Sequence, residues 1–189
     1  MAISESEFIK YIKNNISQGE YFSCVILYES NENLAWYAAL RIGEIITDYF
    51  KSEIGKQINI HLSLNFARIM PQLNEMKDHD VLFLTTDDQG IKSIASHIST
   101  EMLNEKKNII FLSKDTNPLI QQFIDITNAV IKVNRLNQGE INCIIEISKR
   151  GERELKLTQP DTLLINKYHD LKATLLKEAV REQVPELKD

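Results

Sequence analysis

Short unbroken apolar runs alternate along the chain with segments in which apolar residues recur every three or four positions. The runs cover residues 22–28, 58–64, 80–86, 108–113 and 129–133. Continuous apolar strands separated by helices are typical of a parallel sheet that is covered on both faces. The pattern therefore predicts an α/β domain of three layers, with a mainly parallel central sheet between two layers of helices.

The pattern changes after the fifth strand. Residues 137–140 carry a turn signal with Gly139, and the apolar run at 141–148 follows without room for a crossover helix. Strands joined so directly must pair antiparallel. We expect the sheet to end in an antiparallel hairpin, with residues 155–157 as a short added edge strand.

Amphipathic helices are predicted at both ends of one domain that spans residues 1–189. Ser4 and Glu7 have the spacing of a capping box at the start of a helix over about residues 4–18. A second helix is expected over about residues 161–183. Its apolar stripe suits packing on the sheet or on another chain, and consists of Leu164, Tyr168, Leu171 and Leu175.

Composition narrows the class of protein. The 189 residues are 43% hydrophobic and 26% charged, as in an ordinary globular domain. The net charge of −5 does not attract nucleic-acid phosphates. There is no secretory signal pattern and no apolar run of bilayer length, so we expect a cytoplasmic protein without membrane contact. Cys24 and Cys143 lie in apolar runs and are expected to be buried.

The junction between the first strand and the next helix contains no glycine. A phosphate-binding loop needs glycines so that backbone N–H groups can approach the phosphates, together with a Lys and a Ser or Thr. Between Leu27 and Leu34 the chain instead has an acidic, polar turn that includes Glu29, Asn31 and Glu32. We therefore expect no bound nucleotide cofactor.

Five polar side chains are candidates for a ligand rim. Asp87 and Asp88 follow the third strand, and the carboxyl ends of parallel strands meet at one edge of a sheet. Together with Glu29, Asn31 and Glu32 they could bind a cation or a basic peptide. The alternatives are helix capping for the aspartates and a solvated loop for the other three. The four histidines lack metal-ligand spacing, and no resident metal is expected.

The densest basic group consists of Lys149, Arg150 and Arg153. Such a group can contact an anion on a neighbouring subunit or a nucleic-acid phosphate. The alternative is a solvated turn, since Glu152 and Glu154 are interspersed with these residues. No aromatic residues interleave the group as a single-strand binder would require.

The order of elements in the second half resembles that of a known family. An apolar strand ends in Asp87, strands follow at 109–113 and 128–133, and the hairpin strand at 141–151 closes with a Lys-Arg-Gly sequence. In this order the chain resembles the RecA/KaiC-like superfamily of ring- or filament-forming ATPase domains, over about residues 20–157. The resemblance implies a RecA-like fold, with Asp87 in the Walker B position and with Lys149 and Arg150 facing another subunit. The family's Walker A motif is missing.

A second resemblance is to the receiver domain of response regulators. Residues 25–34 and 109–115 are similar to its first and fifth strands. A receiver carries its phosphoacceptor aspartate where this chain has Thr85 and Thr86, and the terminal hairpin is foreign to that fold.

These features together predict a non-catalytic RecA-like protein with a binding or regulatory role, acting through self-association or a protein partner. Three alternatives remain open. They are an ATPase or phosphotransfer enzyme with an atypical site, a nucleic-acid accessory protein, and a degenerate receiver-like signalling domain. A nucleic-acid partner is less favoured, because the chain is net acidic.

Overall fold

The computed structural model describes residues 1–64, 69–85, 107–117, 120–125, 127–147 and 151–183. The strands are β1 (Ala2–Ile3), β2 (Cys24–Tyr28), β3 (Ile60–Ser63), β4 (Val81–Thr85), β5 (Asn108–Lys114), β6 (Ala129–Asn137), β7 (Glu140–Ile147) and β8 (Glu152–Thr158). The helices of the described residues are α1 (Glu5–Ser17), α2 (Glu32–Tyr49), α3 (Ile69–Glu75), α4 (Gln121–Ile124) and α5 (Thr162–Gln183). A π-helical turn, Phe50–Ile54, extends α2.

The strands form one sheet in the order β1-β8-β7-β6-β2-β5-β4-β3. The five strands β6, β2, β5, β4 and β3 are parallel to one another. β7 is antiparallel to both β6 and β8, and the short β1 joins β8 in parallel. The expected α/β class, mainly parallel sheet and terminal antiparallel hairpin are confirmed.

The hairpin turn follows from two residues with positive φ. Gln138 has φ of 52° and Gly139 has φ of 79°. Two consecutive left-handed residues form the type of turn whose twist matches that of antiparallel strands. The turn joins β6 and β7, so β7 begins at Glu140 with Asn137 as its partner.

Two hydrophobic layers lie on opposite faces of the parallel strands. On one face, α1, α2 and α5 cover Ile26, Phe83 and Ile131. On the other face, α3 and α4 cover Val25 and Phe111. Adjacent residues such as Val25 and Ile26 are both fully buried because alternate side chains of a strand point to opposite faces. The parallel strands are therefore the middle of three layers, as expected.

The antiparallel strands differ, because the helices that the structure describes cover mainly one of their faces. The cross-strand pairs buried towards α1 and α2 include Cys143 with Leu155. The side chains on the opposite side of these strands are half-buried or exposed. Helix α4 lies at the border of this surface, where Ile124 of α4 and Val130 of β6 line the same groove. We call this surface the open hairpin face, and define it by Val130, Lys132, Arg135, Asn142, Ile144, Glu146, Glu152, Glu154 and Lys156.

The outer edge of the sheet, at β3, is capped by two side chains. The N–H of Val81 donates to the carbonyl oxygen of Asn59, so the carbonyls of Ile60 and Leu62 point away from β4. The Tyr168 hydroxyl donates to Ile60 O at 3.1 Å, and Gln72 Nε2 donates to Leu62 O at 3.1 Å. Burial raises the pKa of Tyr168 to about 12, so its proton is retained. Strand addition at this edge would compete with both hydrogen bonds.

The last helix, α5, packs against α2 through its first half. Ile165 and Tyr168 are buried, whereas Leu163 is 79% exposed. Asp161 receives the N–H of Leu163 at 2.8 Å and thereby caps the helix start. No helix among the described residues combines the length and the apolar content needed to cross a membrane.

A carboxylate joins α1, α2 and β8. Arg41 donates to Glu5 through Nη2 at 2.9 Å and Nε at 3.3 Å. Thr158 donates to the same carboxylate through its N–H at 2.6 Å and its hydroxyl at 2.9 Å. Arg41 also donates to Glu44 at 2.7 Å. Burial alone would raise the pKa of Glu5, but the hydrogen bonds from Arg41 and Thr158 outweigh it and hold that pKa below its ordinary value.

Gly43 lets α2 approach the sheet closely. A Cβ at this position would lie 2.9 Å from Ile60 Cδ1 and 3.0 Å from Phe83 Cζ. We expect Gly43→Val to destabilise the fold by about 1–3 kcal/mol, because the added carbons must displace packed side chains. Urea denaturation followed by circular dichroism measures this. The matched control is Asp48→Val at an exposed position of the same helix, and equal costs for the two variants would contradict the packing explanation.

The Glu5 carboxylate predicts a specific pH dependence. In the acid range the unfolded chain binds the Glu5 proton more readily than the folded chain does. The carboxylate therefore contributes stability above its ordinary pKa of 4.5, and this is lost as the pH falls through the lower folded pKa. We expect Glu5→Gln to cost about 1–3 kcal/mol at neutral pH and progressively less in acid. Unfolding free energies from urea titrations between about pH 3 and pH 7 measure this, with the exposed Glu20→Gln as control. A Glu5→Gln cost that did not change with pH would refute the ionic role.

Candidate functional site

The connection between β2 and α2 is short and capped. β2 ends at Tyr28 and α2 begins at Glu32, so only residues 29–31 connect them. The Asn31 side chain accepts the N–H of Asn33 at 3.1 Å and closes the start of the helix. Since a helix start binds an anion through its free backbone N–H groups, this cap occupies part of the position where a phosphate would bind.

Glu32, a predicted rim residue, is held by neighbouring side chains. Its carboxylate accepts from Trp36 Nε1 at 3.2 Å and from Lys172 Nζ at 3.3 Å. The Lys172 ammonium also lies 4.7 Å from the centre of the Trp36 ring. Because Lys172 belongs to α5, Glu32 takes part in docking the last helix on α2.

Glu29 is exposed, and the preceding residue, Tyr28 of β2, is bound by Asp115, which forms an ion pair with Lys132. The sequence analysis did not identify this ion pair. The N–H of Asp115 donates to the carbonyl of Tyr28 at 2.9 Å, and the Asp115 carboxylate lies 3.4 Å from Lys132 Nζ. Burial and then the charge of Glu32 raise the pKa of Tyr28. Two signals could have found the pair, since Asp115 follows β5 directly and Lys132 interrupts an apolar run.

Four predicted site residues lie outside the described residues. They are Asp87 and Asp88 of the candidate rim, and Lys149 and Arg150 of the basic group. The structure therefore places Glu29, Asn31 and Glu32 together at the carboxyl end of β2. That Asp87 and Asp88 lie beside these three residues and complete a ligand rim stays a prediction.

Arg153, the third basic candidate, contacts the start of the chain. Its guanidinium Nη2 lies 3.4 Å from the carbonyl oxygen of Ala2 and 3.7 Å from the Met1 sulfur. Arg153 pairs with Ile145 across the hairpin, on the side that faces the helices. In this position its main contact is with the β1 segment.

Polar side chains brace the opposite, amino-terminal edge of the sheet. Asp80 is 1% exposed and accepts the N–H groups of Asn59 and Lys77 at 3.0 Å each. His61 Nε2 lies 2.9 Å from the same carboxylate. Asn108 and Asn128 accept backbone N–H groups of the segment that leads into β2. Sequence reasoning did not single out Asp80, Asn108 and Asn128, because a polar residue where a strand begins looks like an ordinary turn residue.

The described residues contain no group of three or more His, Cys, Asp or Glu arranged to hold a metal ion. Cys24 and Cys143 are buried free thiols, as expected. Burial raises the pKa of Cys24, and it raises that of Cys143 to about 12, so both thiols stay protonated near neutral pH. His79 packs between the rings of Tyr21 and Phe50.

Comparison with known proteins gives structural neighbours and no sequence relatives. No family model matches the chain, and no curated protein matches its sequence. The N-terminal domain of zonular occludens toxin from Neisseria meningitidis is similar over 78% of this chain and 98% of its own, at 8% identity and a TM-score of 0.48. A KaiC-like protein from Pyrococcus horikoshii is similar over 71% of this chain and 82% of its own, at 13% identity and a TM-score of 0.34. Neither similarity assigns an activity to this chain.

The contact between Lys172 and Trp36 can be tested by fluorescence, because Trp36 is the single tryptophan. We expect Lys172→Ala to shift the emission to longer wavelength, since the indole loses the side chain that covers it. The loss of the cation–π contact should cost about 0.5–1 kcal/mol of stability. Lys177→Ala, at an exposed position of the same helix, is the control and should leave the spectrum unchanged. A shift of equal size in both variants would rule out a specific contact.

Proposed function

We propose that this chain is a non-catalytic protein with a RecA-like fold that has a binding or regulatory role, acting through self-association or a protein partner. The observation that carries the proposal is the connection between β2 and α2. Only residues 29–31 connect these elements, and none of them is a glycine.

The chemistry of this connection supports the loss of nucleotide binding. A phosphate loop wraps the phosphates with successive free N–H groups and adds a lysine. Here Asn31 caps the helix start, and Glu29 and Glu32 place negative charge beside it. Lys172, the cation that contacts Glu32, is paired with that carboxylate and stacked on Trp36. A triphosphate at this connection would meet the carboxylates of Glu29 and Glu32, and both Lys172 and Lys132 already contact carboxylates of the chain.

The binding role is supported by the distribution of exposed groups. The three antiparallel strands present a broad surface of charged and half-buried apolar side chains. In a single chain these strands stabilise the core through their other face, where Ile141, Cys143 and Leu157 are buried. The open hairpin face is therefore available to contact another protein without any change in the core.

The proposal is tested by thermal unfolding with added nucleotide. A ligand at about a hundred times its Kd stabilises the folded state by roughly 2.7 kcal/mol. We expect the melting temperature in millimolar Mg-ATP to equal that in Mg-ADP and in Mg²⁺ alone, and we expect no release of inorganic phosphate.

The proposal would be overturned in favour of an atypical ATPase by either of two results. One is a melting temperature several degrees higher in Mg-ATP than in Mg-ADP or Mg²⁺, and the other is phosphate release that an Asp87→Ala variant abolishes. Asp78→Ala is the control for general effects of removing a surface carboxylate, since the Asp78 side chain is 53% exposed. It should leave any turnover unchanged.

A further inference from the structure

We propose that the open hairpin face binds a second copy of this chain, face to face, about a two-fold axis that crosses the strands diagonally near Ile144. The inference rests on the proposed function and names the partner for its self-association. It is carried by the distribution of charge over the face.

The strand register arranges this face in three rows of three residues. Val130, Glu146 and Glu152 form the first row across β6, β7 and β8. The second row is Lys132, Ile144 and Glu154, and the third is Arg135, Asn142 and Lys156. One corner of the face is therefore acidic, the diagonally opposite corner is basic, and an apolar residue lies at the centre.

A diagonal two-fold axis makes this surface complementary to itself. Two copies related by an axis in the plane of contact meet as reflections across that axis. An axis through Ile144 at about 45° to the strands, which passes close to Val130, then places Glu146 over Lys132 of the second copy and Glu152 over Arg135 of the second copy. With strands about 4.8 Å apart and same-face residues about 6.7 Å apart, these partners superpose within about 3 Å in projection. Val130 and Ile144 each meet their own copies, so apolar contacts lie along the axis.

The charges involved are accessible. Arg135 and Glu152 are both exposed. In one chain they lie at opposite corners, about 17 Å apart by strand geometry, so they cannot form an ion pair with each other. Lys132 contacts Asp115 of its own chain, but its side chain is 48% exposed and can also reach Glu146 of a second copy.

Face-to-face contact is favoured over pairing at the β3 edge. The outward carbonyls of Ile60 and Leu62 already accept hydrogen bonds from Tyr168 and Gln72. A reflection across the diagonal turns the strand direction by about 90°, which is one of the two arrangements in which sheets pack on each other. The nine-residue patch covers about 300 Å² in outline, well below the roughly 800 Å² per partner of a standard interface. The association should accordingly be weak and sensitive to salt.

The axis makes one unfavourable contact, since Lys156 lies on the diagonal and meets Lys156 of the second copy at the periphery. Replacing it by a neutral residue removes this repulsion. Lys156→Gln should therefore tighten the association, whereas the loss of a favourable contact would loosen it.

Sedimentation of the full chain over a concentration series at low salt tests the proposal. We expect the average mass to rise from 21.8 kDa towards twice that value. Arg135→Glu and Glu152→Arg should each weaken the association roughly tenfold or more, because like charges are brought together. The double variant should restore it, since the reversed charges again meet across the axis. Lys10→Glu changes the net charge as Arg135→Glu does, at an exposed position of α1, and should have no comparable effect.

The outcomes separate this proposal from the one on which it rests. A chain that stays monomeric at every concentration would refute self-association. A dimer whose dissociation constant is unchanged by both Arg135→Glu and Glu152→Arg would show that the open hairpin face is not the interface. Loss without rescue in the double variant, with unchanged melting temperatures, would overturn the diagonal pairing. None of these results bears on nucleotide binding, which the melting comparison tests separately.

Discussion

The Glu5 carboxylate is the point where three parts of the chain that are remote in sequence are held together. Arg41 reaches it from α2 and Thr158 from the end of β8, and Glu44 extends the contact to the start of α5 through the N–H of Asp161 at 3.3 Å. Because α1 and α5 both pack on α2, this network sets the position of one helical layer over the sheet. This layer covers one side of the antiparallel strands, whereas the side chains on their opposite side are half-buried or exposed.

The two sides of β6, β7 and β8 have separate roles as a consequence. The side towards the helices contributes Ile141, Ile145 and Leu157 to the core. The other side carries charges of both signs and contributes little to the stability of a single chain, so it can change in sequence without loss of the fold. The connection between β2 and α2 has a structural role of its own, which does not involve the open hairpin face. At the start of α2, Glu32 accepts a hydrogen bond from Lys172 and so helps to hold α5 in place.

Much of the fold could be predicted from the sequence, because buried parallel strands are continuous apolar runs and the Gln138-Gly139 turn has a clear signature. The candidate site was less predictable. A carboxylate at a strand end looks the same in sequence whether it binds a ligand or a neighbouring side chain, so the contact between Glu32 and Lys172 could not be predicted from the sequence. Long-range pairs such as Glu5 with Thr158 leave no local pattern at all. The open hairpin face depends on the order β8-β7-β6 and on the register of these strands, which local sequence patterns do not contain.

The cap on the β3 edge has a consequence for synthesis of the protein. The hydroxyl that closes the carbonyl of Ile60 belongs to Tyr168, which lies 108 positions later in the chain. A chain emerging from the ribosome can pair its parallel strands well before that residue is made. During this interval the outward carbonyl of Ile60 is open to water and to the strands of other nascent chains, until Tyr168 docks on it. We therefore expect the last helix to limit pairing of this edge with other chains, in addition to forming part of a layer of the fold.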